Sequence, residues 1–121
     1  MFKQALTDVV EHTEGATGAL IMGMDGIAVE HVFLPEASDA NMDVAAAEVT
    51  SLVRAALRSG TNTGLGMLNE MFINFERVRI IARMFSPEYF VVLALGPDGN
   101  IGRGRYELRK AELLLAREFA L

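Results

Sequence analysis

A chain of 121 residues is the size of one domain, able to bury roughly two thirds of the surface its unfolded form exposes, and at 51% hydrophobic and 22% charged it is neither low-complexity nor disordered. The absence of cysteine excludes disulfides, thiol nucleophiles and thiolate metal sites, and fits a reducing compartment. The net charge of −5 is uneven, with three Lys/Arg against nine Asp/Glu in residues 1–60 and eight against seven in residues 61–121, which disfavours general nucleic-acid binding.

The opening segment MFKQALTDVVEH carries charges where a signal peptide needs an apolar stretch, and no run approaches the ~18 apolar residues of a membrane helix, so a cytoplasmic protein without membrane insertion is expected. Phe2, Leu6, Val9 and Val10 recur at helical spacing, predicting a short amphipathic helix from Phe2 to His12 that ends at Glu14-Gly15. The stretch GALIMGMDGIAVEHV then sets two apolar runs either side of Asp25-Gly26. It predicts strands from about Thr17 to Met24 and from Ile27 to Phe33, joined by a two-residue turn that tolerates positive φ. No second carboxylate or histidine stands at a metal-ligand or acid/base spacing from Asp25, so its chemistry is that of a turn.

Pro35, Ser38 and Asp39 form a cluster of turn and N-cap residues before a long helical pattern that stops at Gly60. Its predicted core stripe is Met42, Ala45, Val49, Leu52, Val53 and Ala56. The opposite face holds Ala47, Ser51, Arg54 and Arg58, flanked by Thr50. Small residues there would let another backbone approach closely, although Ala47 and Ser51 are also ordinary surface helix residues.

After a Gly/Thr/Asn linker, three strand-like runs follow. Met67 to Glu76 places Met71, Ile73 and Phe75 on one face and Leu68 and Phe72 on the other. Arg77 to Phe85 alternates Val78, Ile80, Ala82 and Met84 against Arg77, Arg79, Ile81 and Arg83. Beyond the Ser86-Pro87-Glu88 turn, Tyr89 to Leu95 is apolar on both faces. Ala19 to Met22 and Phe90 to Leu95 do not alternate, so they should be central, neighbouring strands covered on both sides. The order 2-1-5-4-3 follows: an α+β fold with a five-stranded, mostly antiparallel sheet and helices on both faces. Met67 to Glu76, with Met67, Asn69, Met71, Phe72 and Ile73, is then an edge without proline or lysine, which if left bare invites pairing with another chain.

Little of the chain reads as catalytic. GPDGNIGRGR, residues 96–105, follows a strand and opens a helix, the context in which amides can cradle phosphate, but its glycines are in the wrong order for a dinucleotide fingerprint and no P-loop Gly-Lys-Ser/Thr follows. A Pro-Asp-Gly turn, with Gly102 and Gly104 allowing close packing, is the favoured reading. His12 and His31 belong to no HExxH or triad-like pattern, and no GxSxG elbow occurs. The strand methionines Met22, Met24, Met67, Met71 and Met84 suit core filling or an adaptable binding surface. Arg77, Arg79, Arg83, Arg103, Arg105 and Arg109 leave a basic patch open, while Glu76, Glu88 and Glu107 among them favour a mixed, solvated surface.

The αββαβββα order, the Asp25-Gly26 turn, the Ala-rich second helix and the segment IGRGRYELRKAELLLAREF together resemble the Roadblock family, whose fold is roadblock/profilin-like, over nearly the whole chain as one domain, residues 1–121. That family includes roadblock-type dynein light chains and bacterial MglB-like regulators of small Ras-like GTPases. The resemblance implies a homodimer with second helices side by side and third strands paired. It also implies a partner surface at Ala47, Thr50, Ser51, Arg54 and Arg58, with the dimer edge at Met67, Asn69, Met71, Phe72 and Ile73. An MglB-like member binds a GTP-loaded GTPase and promotes hydrolysis by repositioning its switch regions, so no catalytic residue, cofactor or metal is expected in this chain. The alternatives are a scaffold subunit of a larger motor or signalling assembly and, less favoured, a nucleotide or phosphate sensor at residues 96–105.

Overall fold

The structure, a computed structural model, describes residues 2–35 and 42–120. The Ser38, Asp39 cap cluster expected before the second helix lies outside the described residues. In chain order the elements are α1 (Phe2–Glu11), β1 (Ala16–Gly23), β2 (Ala28–Phe33), α2 (Met42–Thr63), β3 (Glu70–Asn74), β4 (Arg79–Met84), β5 (Tyr89–Leu95) and α3 (Ile101–Phe119). The sheet order is β2-β1-β5-β4-β3, and all four pairings are antiparallel. The two strands without alternation are neighbours at its centre: Ala19 to Met22 and Phe90 to Leu93 are buried on both faces, because helices cover both sides of the middle strands.

On one face α1 and α3 lie together. Leu6, Val9, Ile21, Ile81, Leu93, Leu95, Leu108 and Leu115 close this layer, each with 2% exposure or less. Each such aliphatic side chain contributes about 1.5–3 kcal/mol relative to its exposed state. Gly104 lets α3 approach the sheet, since a β-carbon there would sit 3.0 Å from Leu93. Gly102 has no such constraint and is exposed, which corrects the expectation that both glycines serve close packing. Phe119 closes the far end against Phe2, Phe85 and Tyr89, with ring centroids 4.6–5.0 Å apart. On the other face, among the described residues, α2 is alone, and its buried apolar residues there are Val49 and Val53, packed on Leu20, Met22, Ala82, Phe90 and Val92.

The turns follow their side chains. The β1–β2 loop is three residues rather than two: the Gly26 amide donates to the Gly23 carbonyl, the Gly23 amide to that of Ile27, and Gly26 alone of the pair takes positive φ, at 87°. Asp25 Oδ1 accepts the Ile27 amide at 3.0 Å. Ser86 Oγ accepts the amides of Glu88 and Tyr89, shaping the β4–β5 turn.

Two boundaries differ from expectation. α2 runs through Gly60 to Thr63, and the left-handed glycines that turn the chain are Gly64 (φ 75°) and Gly66 (φ 100°). Gly60 serves close approach instead, because a β-carbon on it would lie 2.4 Å from the Gly66 carbonyl oxygen. β3 is half the predicted length. Met67 to Asn69 precede it and Phe75 to Val78 form the hairpin bend, since β4 offers a partner only from Arg79 onward.

Candidate interaction surface

The side of the sheet carrying α2 and the β3 edge holds the candidate site residues. Ala47, Ser51 and Arg58 are exposed on α2. Thr50, expected beside them, is 1% exposed and donates its hydroxyl to the Ala46 carbonyl at 2.9 Å. Leu52, expected in the core, is 45% exposed. Ala45 is exposed too, and the side chain of Met42 lies outside what is described. The helix is therefore rotated about its axis, toward Thr50 and away from Leu52, relative to the hydrophobic stripe read from sequence. Its outward surface holds Val44, Ala47, Ser51, Leu52 and Ala55, with the charged Glu48 and Arg58 among them.

Arg54 is half-buried, and its Nε donates to the carbonyl oxygen of Met24 at the β1–β2 turn. It ties α2 to the first hairpin, whereas Arg58 has no ion-pair partner among the described residues. Between the N-terminal half of α2 and the sheet lies a groove of about 530 Å³, lined by Leu20, Phe33, Ala46, Val49, Ile80 and Val92, with Arg77 as its charged lining residue. Among the described residues, one helix thus leaves apolar surface uncovered on this face.

At the edge, the Met84 amide donates to Asn69 and the Phe75 amide to Val78, which sets the alternation of the β3–β4 ladder. Met71 and Ile73 therefore turn their main-chain groups toward β4, and Glu70, Phe72 and Asn74 turn theirs outward. Met71 is half-buried in the cluster under α2. Phe72, 39% exposed, projects to the other face, with the Arg105 guanidinium 5.2 Å from its ring centroid. Met67 is 62% exposed, and Leu65, Phe75 and Val78 near the same edge are exposed as well.

An ion network the sequence reading did not identify braces this edge. Glu70 accepts from Arg105 at 2.8 Å and pairs with Arg83 at 3.5 Å, and Arg83 also pairs with Glu112. A signal for it was present: a hairpin bend centred between Phe75 and Val78 sets Glu70 opposite Arg83, and Arg105 and Glu112 are seven residues apart on one side of α3.

The residues weighed for chemistry have structural places. In the glycine-rich turn, the Gly99 amide donates to Gly96, Asn100 to Glu14, Gly104 to Asn100, and Arg103 to the Asn100 side chain, which caps α3. These bonds engage the amides of Asn100, Arg103 and Gly104 at the start of α3. His12 Nδ1 lies 2.7 Å from the Asp8 carbonyl, and His31 stacks on Phe33. Among the described residues no three His, Asp or Glu gather as metal ligands, and no helix is long and apolar enough to cross a membrane.

Comparison with known proteins gives this geometry a context. Residues 2–94 match the Roadblock/LC7 domain model. The structure of MglC from Myxococcus xanthus is similar at 35% identity and a TM-score of 0.74, covering 98% of each chain. A structure described as MglB with tetrameric arrangement matches at 23% identity and 0.86, covering 99% of this chain and 90% of the other. Acanthamoeba castellanii profilin IA shares the fold at 14% identity and 0.64, covering 98% of each. No curated protein matches the chain in sequence at significance. The chain belongs to the Roadblock/LC7 domain family.

Proposed function

From that membership we propose that the protein is a homodimeric, non-enzymatic regulator in a bacterial cytoplasm that binds a small Ras-like GTPase and promotes its GTP hydrolysis. The observation that carries this reading is the side of the molecule where, among the described residues, an open β3 edge and a single helix, α2, adjoin uncovered apolar surface. Pairing β3 with its copy about a two-fold axis would satisfy the outward groups of Glu70, Phe72 and Asn74. It would also bring two α2 helices together over one continuous sheet. The tetrameric arrangement named for a similar MglB supports self-association. A credible interface then buries more than about 1,000 Å² in total.

Two adjacent α2 helices make one composite surface, so one GTPase meets both protomers. In this reading Ala47, Ser51 and Arg58 touch the partner, whereas Thr50 and Arg54 hold the helix in place from within. The chain supplies shape and leaves the chemistry to the switch segments of the GTPase.

Size-exclusion chromatography with light scattering tests the dimer, and turnover of a Ras-like GTPase encoded nearby tests the regulator. Arg58→Ala should weaken binding while stimulated turnover at saturation stays within about tenfold, equivalent to ~1.4 kcal/mol. A donated arginine finger would instead be worth about 10³–10⁵ in rate. A stable complex with unchanged hydrolysis would replace the regulator with a scaffold.

A further inference from the structure

Across the sheet from α2, helix α3 has a solvent side whose charge is unlike that of the rest of the molecule. The net charge of the chain is −5, yet the outward residues of this helix are Arg103, Tyr106, Arg109, Lys110, Leu113 and Arg117, all exposed and none acidic. Its three glutamates are elsewhere: Glu107 is buried, and Glu112 and Glu118 are half-buried. Leu113, at 73% exposure, and Tyr106, at 54%, lie along the middle of the basic stripe, with Leu114 at 41% beside them. Among the described residues Arg109 and Arg117 have no ion-pair partner.

The stripe is also held in shape. Glu107, only 2% exposed, pairs with Arg103 at 2.8 Å and Lys110 at 3.5 Å, one turn before and one turn after it. Both cations lie over the Tyr106 ring, 5.3 and 5.4 Å from its centroid. A buried anion thus fixes two cations, and they fix an aromatic ring. Ordering these side chains before an encounter reduces the entropy lost on binding, and tyrosine and arginine are the residues that most often dominate interfaces.

We propose that this face of α3 docks an acidic, leucine-bearing helical segment of a partner protein. Tyr106 and Leu113, seven residues apart on one side of the helix, form a ridge for apolar side chains. Arg109 and Arg117, on either side of Leu113, meet carboxylates. A flat anionic membrane fits less well. The stripe is one helix wide, and neighbouring α1 and the turn after it expose Asp8, Glu11 and Glu14, which an anionic bilayer would repel. The site lies on the opposite face of the sheet from α2, so it is independent of the regulator reading.

The test uses the intact chain and a fluorescein-labelled synthetic peptide of about five helical turns, with leucine at every third and fourth position and glutamate and alanine elsewhere. Fluorescence anisotropy at low salt should give saturable binding with a Kd of order 10⁻⁶–10⁻⁵ M, weakening as salt rises. Leu113→Asp, Arg109→Glu, and replacement of the peptide's glutamates by glutamine should each weaken binding by about tenfold or more, the magnitude of one lost contact of this kind. These positions are exposed, so circular dichroism and the thermal midpoint should stay unchanged and exclude unfolding as the cause. No saturable binding at low salt would overturn the proposal, as would equal binding by both variants. So would preferential binding to mixed phosphatidylcholine/phosphatidylserine vesicles that the same variants abolish.

Discussion

The two faces of the sheet are built from similar strands but finished differently. Among the described residues, fifteen buried ones form the cluster between α1, α3 and the sheet and seven form the cluster under α2, so the first layer is more fully packed than the second. Of the exposed large apolar residues, Val44, Leu52, Met67, Phe75 and Val78 belong to the α2 side or its adjoining edge, whereas Tyr106, Leu113 and Leu114 stand on the solvent side of α3, outside the closed layer. A closed layer makes stability, whereas an apolar layer left open is where a protein meets another. The same strands serve both ends because their side chains alternate.

The sharpest way to break the comparison is at the centre of the closed face. Leu108→Ala, at a residue with 0% exposure, should cost about 2–5 kcal/mol through lost burial and the cavity it leaves. Urea denaturation should show a lower midpoint with an unchanged slope. Next, Gly15→Ala tests how tightly the loops beneath that face are drawn together. Its φ is 83° and its β-carbon would lie 2.4 Å from Gly99 Cα, so a loss of about 1–3 kcal/mol is expected by the same measurement. Glu70→Ala removes the anion joining the β3 edge to α3. With Arg83 and Arg105 then lacking that partner, stability should fall by about 1 kcal/mol, and by less at high salt because the pair is partly solvated.

The smallest effect discriminates best between the two faces. Leu52→Ala should change the stability of the isolated chain by less than about 0.5 kcal/mol, as at an ordinary surface site. In the proposed dimer the same substitution should appear as a concentration-dependent loss of thermal midpoint and a weaker association in light scattering. Equal behaviour at low and high protein concentration would place no second copy over Leu52.

Much of this fold is legible in the chain itself. Apolar runs without alternation at Ala19 to Met22 and Phe90 to Leu95 determined which strands are central, and the order β2-β1-β5-β4-β3 followed from that and from short connections. Turn residues such as Asp25 and Ser86 accept amides two or three positions away, so sequence alone places them. Tertiary structure decided what depends on distant partners. The rotation of α2, which buries Thr50 and exposes Leu52, is set by the seat of a single helix on a sheet wider than itself, because a helical stripe fixes a face only to within a residue or so. Arg54 finds the Met24 carbonyl 30 positions away, and Glu70 finds Arg105 35 positions away. Local spacing carries no record of such pairs, since they form only when the chain folds back and brings the elements together.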